Sequence, residues 1–191
     1  MVISYQGGNY FKIQSGEFTL LIDPDNTRSF KGANVILCTF KPPLVAPTSD
    51  EENLIWIENQ GEYEVKGARI EGWTLRGDGK DEKTAYVFEL EGIKVANLGH
   101  ASKEPASEVL ENFEGLDILI LPGGGGGDYL SPENAVKLIR KTEPKIFIPS
   151  LITESPKKFF AALGETAAPM EKLVIKKKDL EEGTKMVYLK A

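Results

Sequence analysis

The chain has 191 residues, a formal net charge of −6 and an apolar content of 41 %. That length supports one domain whose core needs no disulfide or structural metal. The acidic balance argues against a dedicated nucleic-acid or anionic-membrane surface. With a single cysteine (Cys38) and a single histidine (His100), an internal disulfide, a cysteine-based zinc cluster and any site built on two histidines are excluded within one chain.

The N-terminus shows no charged segment followed by an apolar one, and no apolar run approaches the roughly 20 residues of a membrane span, so the expected location is the cytoplasm. Val2–Tyr5 and Tyr10–Gln14 read as strands around the turn at Gly7, Gly8 and Asn9. Phe18–Ile22 is a third strand, broken at Asp23-Pro24-Asp25-Asn26. Asn34–Thr39 is a continuous apolar run, the pattern of a buried central strand, and Lys41-Pro42-Pro43 ends it. Asn53–Ile57 is a short strand. Gly61–Val65, Ala68–Gly72 and Trp73–Leu75 predict a meander, and Arg76–Lys83 a polar hairpin tip. Thr84–Leu90 and Lys94–Leu98 flank Glu91-Gly92 as a hairpin.

The second half changes character. Glu104–Phe113 has helical spacing, with Val109, Leu110 and Phe113 on one face. Asp117–Leu121 is a buried strand that runs into five glycines, Gly123–Gly127. Ser131-Pro132-Glu133 is a helix start with a capping hydroxyl, a proline in the first turn and an acid at the positive end. Lys145–Ile148 is a strand, Ser155-Pro156 starts a further helix, and Lys172–Ile175 with Lys185–Leu189 predict a closing pair of strands. Antiparallel strands followed by βα units predict one α/β domain over residues 1–191, with mixed sheets and outer helices.

Several segments, in order and spacing, resemble the metallo-β-lactamase fold, in particular its small bacterial zinc-dependent hydrolase-like branch. They are the glycine turn with Phe11–Ile13, Leu21-Ile22-Asp23-Pro24, the strand Ala33–Thr39, Gly61–Val65, Leu98-Gly99-His100, Asp117–Pro122 with the glycine run, and Glu143–Pro149. The resemblance implies a four-layer αβ/βα sandwich with two mixed sheets and an active site at one edge. It also implies a His-x-His-x-Asp-His metal motif directly after the strand that ends at Thr39. Here Phe40, Pro42, Leu44 and Val45 hold those four ligand positions. His100 stands where the family has a bridging aspartate, Leu151 where it has its last histidine, and Gly8 replaces a further histidine. Catalytic zinc needs at least three protein ligands, and one imidazole cannot supply them. The reading is therefore a degenerate member without the hydrolytic metal centre and with no cofactor.

The remaining candidates divide between chemistry and plain structure. His100 is the candidate catalytic residue, although a histidine without a partner is more simply a polar loop residue bonded to backbone. Gly123, Gly124, Gly125, Asp128 and Ser131 could cradle an anion beside free helix N–H groups, with a flexible loop as the plainer reading. Cys38 reads as a buried small hydrophobe and Asp23 as a turn cap. Asp25, Asp128 and Glu62 offer a carboxylate-only cation site that their spacing does not favour. Lys176-Lys177-Lys178 reads as a solvated turn and Trp56 and Trp73 as core or interface.

Three functions are open at this level. The first is a non-catalytic binding or scaffold protein of unknown ligand. The second is a metal-dependent hydrolase of phosphoesters or lactones using a non-standard ligand set. The third is a homo-oligomer joined through the apolar Phe40–Val45 segment, which marks a contact site if exposed and a plug in the old cleft if packed.

Overall fold

The computed structural model describes residues 1–46, 53–75, 82–123, 128–152, 156–164 and 166–191. Five strands open the chain: β1 (Val2–Tyr5), β2 (Phe11–Ser15), β3 (Phe18–Ile22), β4 (Val35–Leu37) and β5 (Ile55–Ile57). The first three run antiparallel, with Ile3 opposite Ile13 and Ile13 opposite Leu20. β4 and β5 then add in parallel, with Ile36 between Leu21 and Trp56. All five residues of β3 are buried because it lies inside the sheet with both faces covered. The expected strand Asn34–Thr39 is observed over Val35–Leu37; Cys38 still donates to the Ile57 carbonyl of β5 at 2.9 Å, and Thr39 begins the loop that follows.

The second sheet begins with β6 (Gly61–Val65), β7 (Ala68–Leu75), β8 (Lys83–Leu90) and β9 (Ile93–Asn97), which are antiparallel neighbours. The two segments expected around Gly72 and Trp73 form one strand. Glycine stands at 72 because a Cβ there would lie 2.8 Å from the Asn59 carbonyl oxygen and 2.9 Å from the Tyr86 ring, so it marks a close approach and not a break. Helix α1 is only Ser107–Leu110, continued by a 3-10 turn over Glu111–Phe113. Pro105 disfavours helical backbone at Glu104, so the expected helix loses its first turn.

β10 (Ile118–Pro122), α2 (Pro132–Thr142), β11 (Ile146–Ser150) and α3 (Lys157–Leu163) follow as right-sized βα units, with β9, β10 and β11 parallel. Ser131 caps α2 by accepting from the Asn134 N–H at 3.3 Å. The chain closes with β12 (Lys172–Val174) and β13 (Lys185–Met186). These do not pair with each other as the sequence suggested. β12 joins β1 in the first sheet and β13 joins β11 in the second, so the C-terminal segment ties the two sheets together.

The sheets face one another over the largest core, in which Ile13, Leu20 and Val35 from one meet Ile70, Phe88 and Ile120 from the other. A second cluster lies under α2 and α3, where Leu138 and Phe159 pack on Leu119 and Phe147. The outer face of the first sheet is covered differently. Phe30, Ala33 and Val45 lie on Leu21, Ile36 and Cys38, so irregular segments fill that layer among the described residues. Two mixed sheets, with helices packed outside the second, bear out the expected sandwich fold. No helix of the described residues is long and apolar enough to cross a membrane.

Candidate functional site

The parallel strands of both sheets end at one edge. In open parallel sheets, ligands sit outside the carboxyl ends of the strands. β3 delivers Asp23 there and β4 delivers Thr39 and Phe40, while from the second sheet β9 delivers His100 and β11 delivers Leu151. The Gly7–Asn9 turn closes the edge, and the Leu151 N–H donates to the Gly8 carbonyl at 2.8 Å, joining the sheets across it. A cleft of about 680 Å³ opens between them.

Its floor is a buried polar network. Asn9 Nδ2 donates to Asp23 Oδ2 at 2.7 Å and to Asn97 Oδ1 at 3.2 Å. The Thr39 N–H donates to Asp23 Oδ1 at 2.6 Å, and the Thr39 hydroxyl donates to Asp23 Oδ2. His100 Nδ1 lies 2.9 Å from that same hydroxyl and 3.5 Å from Asp23 Oδ2. Burial pushes the Asp23 carboxyl up to about 6, against the pull of its bonds from Asn9 and Thr39. Burial also lowers His100 to about 4, helped by the charge of Lys83.

At neutral pH these values give an ionised Asp23 and a neutral imidazole. A carboxylate only accepts, so the single Thr39 proton goes to Asp23. The Thr39 oxygen must then accept from His100, which places the imidazole proton on Nδ1 and leaves Nε2 as a lone-pair acceptor. Gly99 makes the contact physically attainable. It has φ 52°, and a Cβ there would meet Thr39 Cβ at 2.2 Å.

Aromatic and apolar groups form the walls. The Phe40 ring centroid is 4.2 Å from that of His100, and Tyr129 lies 5.8 Å away. Leu151 is buried in left-handed backbone with φ 51°, and Leu44 stands 64 % exposed. Asp25, Ser102, Asp128 and Lys83 complete the lining. The Phe40–Val45 segment is split between both expected fates. Phe40 is a wall of the cleft, Val45 packs on the outer cluster of the first sheet, and Pro42 and Leu44 are exposed.

Of the residues singled out in the sequence, the cleft gathers His100, Phe40, Leu44, Leu151, Gly8, Asp25 and Asp128. Gly123 packs tightly against Pro149 and Ile152 instead, Ser131 serves α2, and Glu62 is exposed on β6. Gly124 and Gly125, like Gly126, Gly127, Ser155 and most of the Arg76–Lys83 segment, lie outside the described residues. Cys38 is buried and its thiol is pushed up by burial, in keeping with a packing role. Trp56 meets Phe30 edge-on at 5.8 Å, and Trp73 packs on the cluster beneath the helices. Lys176, Lys177 and Lys178 are exposed, as expected of a solvated turn, and the Lys177 ammonium also reaches to 2.6 Å from buried Asp117.

Asp23 is the larger correction. It does bond a loop N–H, as a cap would, but it is also buried at the centre of the network. Thr39, Asn9 and Tyr129 carried no readable signal, because their roles depend on neighbours far away in sequence.

The zinc that the resemblance implies does not fit these residues. Phe40, Pro42, Leu44, Val45 and Leu151 offer no side-chain donor. Asp23 is committed to Asn9 and Thr39, and His100 Nδ1 to Thr39. No group of three or more His, Cys, Asp or Glu is placed to hold a metal ion among the described residues.

Comparison with known proteins adds a family. A model of the beta-lactamase superfamily domain matches residues 2–150. A UPF0173 metal-dependent hydrolase of Thermococcus onnurineus is 29 % identical over 122 residues, which cover 57 % of this chain and 54 % of that protein. The chain thus spans about half the length of the curated relative it matches. A solved structure from Thermotoga maritima, described as a Zn-dependent hydrolase of the metallo-beta-lactamase superfamily, superposes with a TM-score of 0.76 at 21 % identity, covering 99 % of both chains. A metallo-beta-lactamase fold protein of Bacillus subtilis gives 0.71 at 8 % identity, covering 99 % of this chain and 95 % of that one.

Proposed function

The chain belongs to the beta-lactamase superfamily, and from that premise we propose that it is a binding protein, holding a small organic ligand in the cleft at the edge where the strands of its two sheets end. The observation that carries this reading is the open cleft of about 680 Å³ walled by Phe40, Tyr129, Leu151 and His100. Cavities of roughly 300–1,000 Å³ with apolar walls and a few fixed polar groups are the usual form of small-molecule sites. Phe40, Tyr129 and Leu151 supply apolar surface beside Asp25, Asp128 and Lys83, and the polar floor is pre-arranged. His100 is held by Thr39 in one tautomer, so it meets a ligand without a reorganisation cost.

The experiment is metal analysis paired with ligand screening. Protein purified with zinc, manganese and iron and then dialysed is expected to retain less than about a tenth of an equivalent of any of them, given the three-ligand requirement. A fragment screen read by thermal shift is expected to yield hits that Phe40→Ala abolishes. One equivalent of tightly held metal that His100→Ala removes would overturn the reading in favour of a hydrolase with an unusual ligand set.

A further inference from the structure

The chemistry of the lining narrows the ligand. This step rests on the reading of the cleft as a binding site. We infer that the cleft takes a flat, donor-rich, neutral-to-cationic aromatic compound, of the aryl amine, amidine or protonated heterocycle class, and turns away anionic phosphoesters and carboxylates.

The shape follows from the walls. The Phe40 ring lies 4.2 Å from His100, the Tyr129 ring lies 5.8 Å from His100 on the cleft, and buried Leu151 adds an aliphatic surface. Rings of this kind favour a planar partner in offset or edge contact. A cationic ring or substituent gains further from their negative faces.

Polarity follows from what the floor has left to offer. His100 has spent Nδ1 on Thr39, so Nε2 is a hydrogen-bond acceptor. Asn9 has its Nδ2 fixed by Asp23, and its Oδ1 is buried without a partner among the described residues. The His100 acceptor calls for an N–H or O–H donor on the ligand.

Charge points the same way. Asp25 and Asp128 line the cleft, and the Asp23 carboxylate lies beneath it, against Lys83 as the cation among the described lining residues. A phosphate or carboxylate would meet two rim carboxylates and the His100 acceptor, with Lys83 as the cation to receive it among the described lining residues. An ammonium or amidinium would pair with the rim acids and keep clear of Lys83.

The test uses three probes of one shape and different charge: benzamidine, benzamide and benzoate. The protein has a single histidine, so in untagged material the His100 imidazole resonances report cleft occupancy without ambiguity, and titration gives a Kd for each probe. Expected is benzamidine tighter than benzamide and benzamide tighter than benzoate. The span should be about tenfold or more, the scale of a few partly screened charges. In the double variant Asp25→Asn, Asp128→Asn the span should collapse, while Phe40→Ala should weaken all three probes alike. Benzoate binding as tightly as benzamidine, and lost in Lys83→Gln, would overturn the ligand class and leave the cleft standing as a binding site. Failure of all three to move the His100 resonances would overturn both this inference and the binding reading beneath it.

Discussion

Thr39 Oγ1 lies 2.9 Å from His100 Nδ1, and the same hydroxyl donates to Asp23, so one threonine couples the end of a strand in the first sheet to the turn after a strand in the second. Thr39→Val keeps the shape and removes the bridge. Asp23 then loses a bond in a buried site, and the folded state should be destabilised by about 1–3 kcal/mol. Chemical unfolding measures this loss. In the same variant the imidazole nitrogen resonances should show a mixture of tautomers, whereas wild type shows the Nδ1–H form at neutral pH. Unchanged stability and tautomer would refute the relay.

The two titrating members of the relay oppose each other. Burial raises Asp23 from 3.8 to about 6, so the folded state holds that proton more tightly than the unfolded chain does. Its contribution is fully present below pH 3.8 and is lost as pH rises through about 6. Burial lowers His100 from 6.5 to about 4, so its contribution is present above pH 6.5 and lost as pH falls through about 4. Each amounts to about 3 kcal/mol at most, and in wild type they nearly cancel across this window. His100→Gln should unmask the acid, giving stability that falls between pH 4 and 6.5 relative to wild type. Unfolding free energies at half-unit pH steps decide it. A flat or rising profile in the variant would contradict the assignment.

Gly99→Ala should be among the costliest single changes in the molecule. The added methyl would sit 2.2 Å from Thr39 Cβ, and the backbone there has φ 52°. Overpacking and left-handed strain together should cost about 3 kcal/mol or more. Gly92→Ala is the control. It also has a positive φ, of 71°, but nothing lies within 4 Å of the added Cβ, so its loss should be smaller. Thermal unfolding of the pair separates contact from backbone strain.

Asp117 should prove a staple of the fold far from the cleft. Burial alone would raise its carboxyl, but bonds from Lys177, the Lys94 N–H and Lys145 hold it below the usual range. A group depressed in this way stabilises above the unfolded value and loses that contribution as pH falls below it. Asp117→Asn should therefore lower stability by about 1–2 kcal/mol at pH 7, by weakening charged hydrogen bonds to two half-exposed lysines, and by progressively less below pH 4. Equal losses at pH 7 and pH 3 would show packing, not charge, to be the cause.

The strands Phe18–Ile22 and Gly61–Val65 were legible residue for residue, because a buried run and a bounded turn are local signals. That Phe40, Pro42, Leu44, Val45 and Leu151 carry no side-chain metal donor was readable from residue type alone. Pairing was harder to read. β12 and β13 have the composition of adjacent strands, yet their partners β1 and β11 lie in different sheets, and no local pattern encodes that choice. The site was half visible for the same reason. His100 stood out as the lone histidine, but its partner Thr39 is 61 positions away and Asp23 lies 16 before Thr39. Only the convergence of strand ends from two sheets makes them neighbours.

Cys38 lies fully inside the first sheet, its thiol made unreactive by burial, so the molecule presents no competing sulfhydryl to an alkylating dye. Leu44, exposed on the rim of the cleft, is then a natural attachment point. In Leu44→Cys a maleimide fluorophore would enter at one position alone, and its emission would follow occupancy of the cleft in real time.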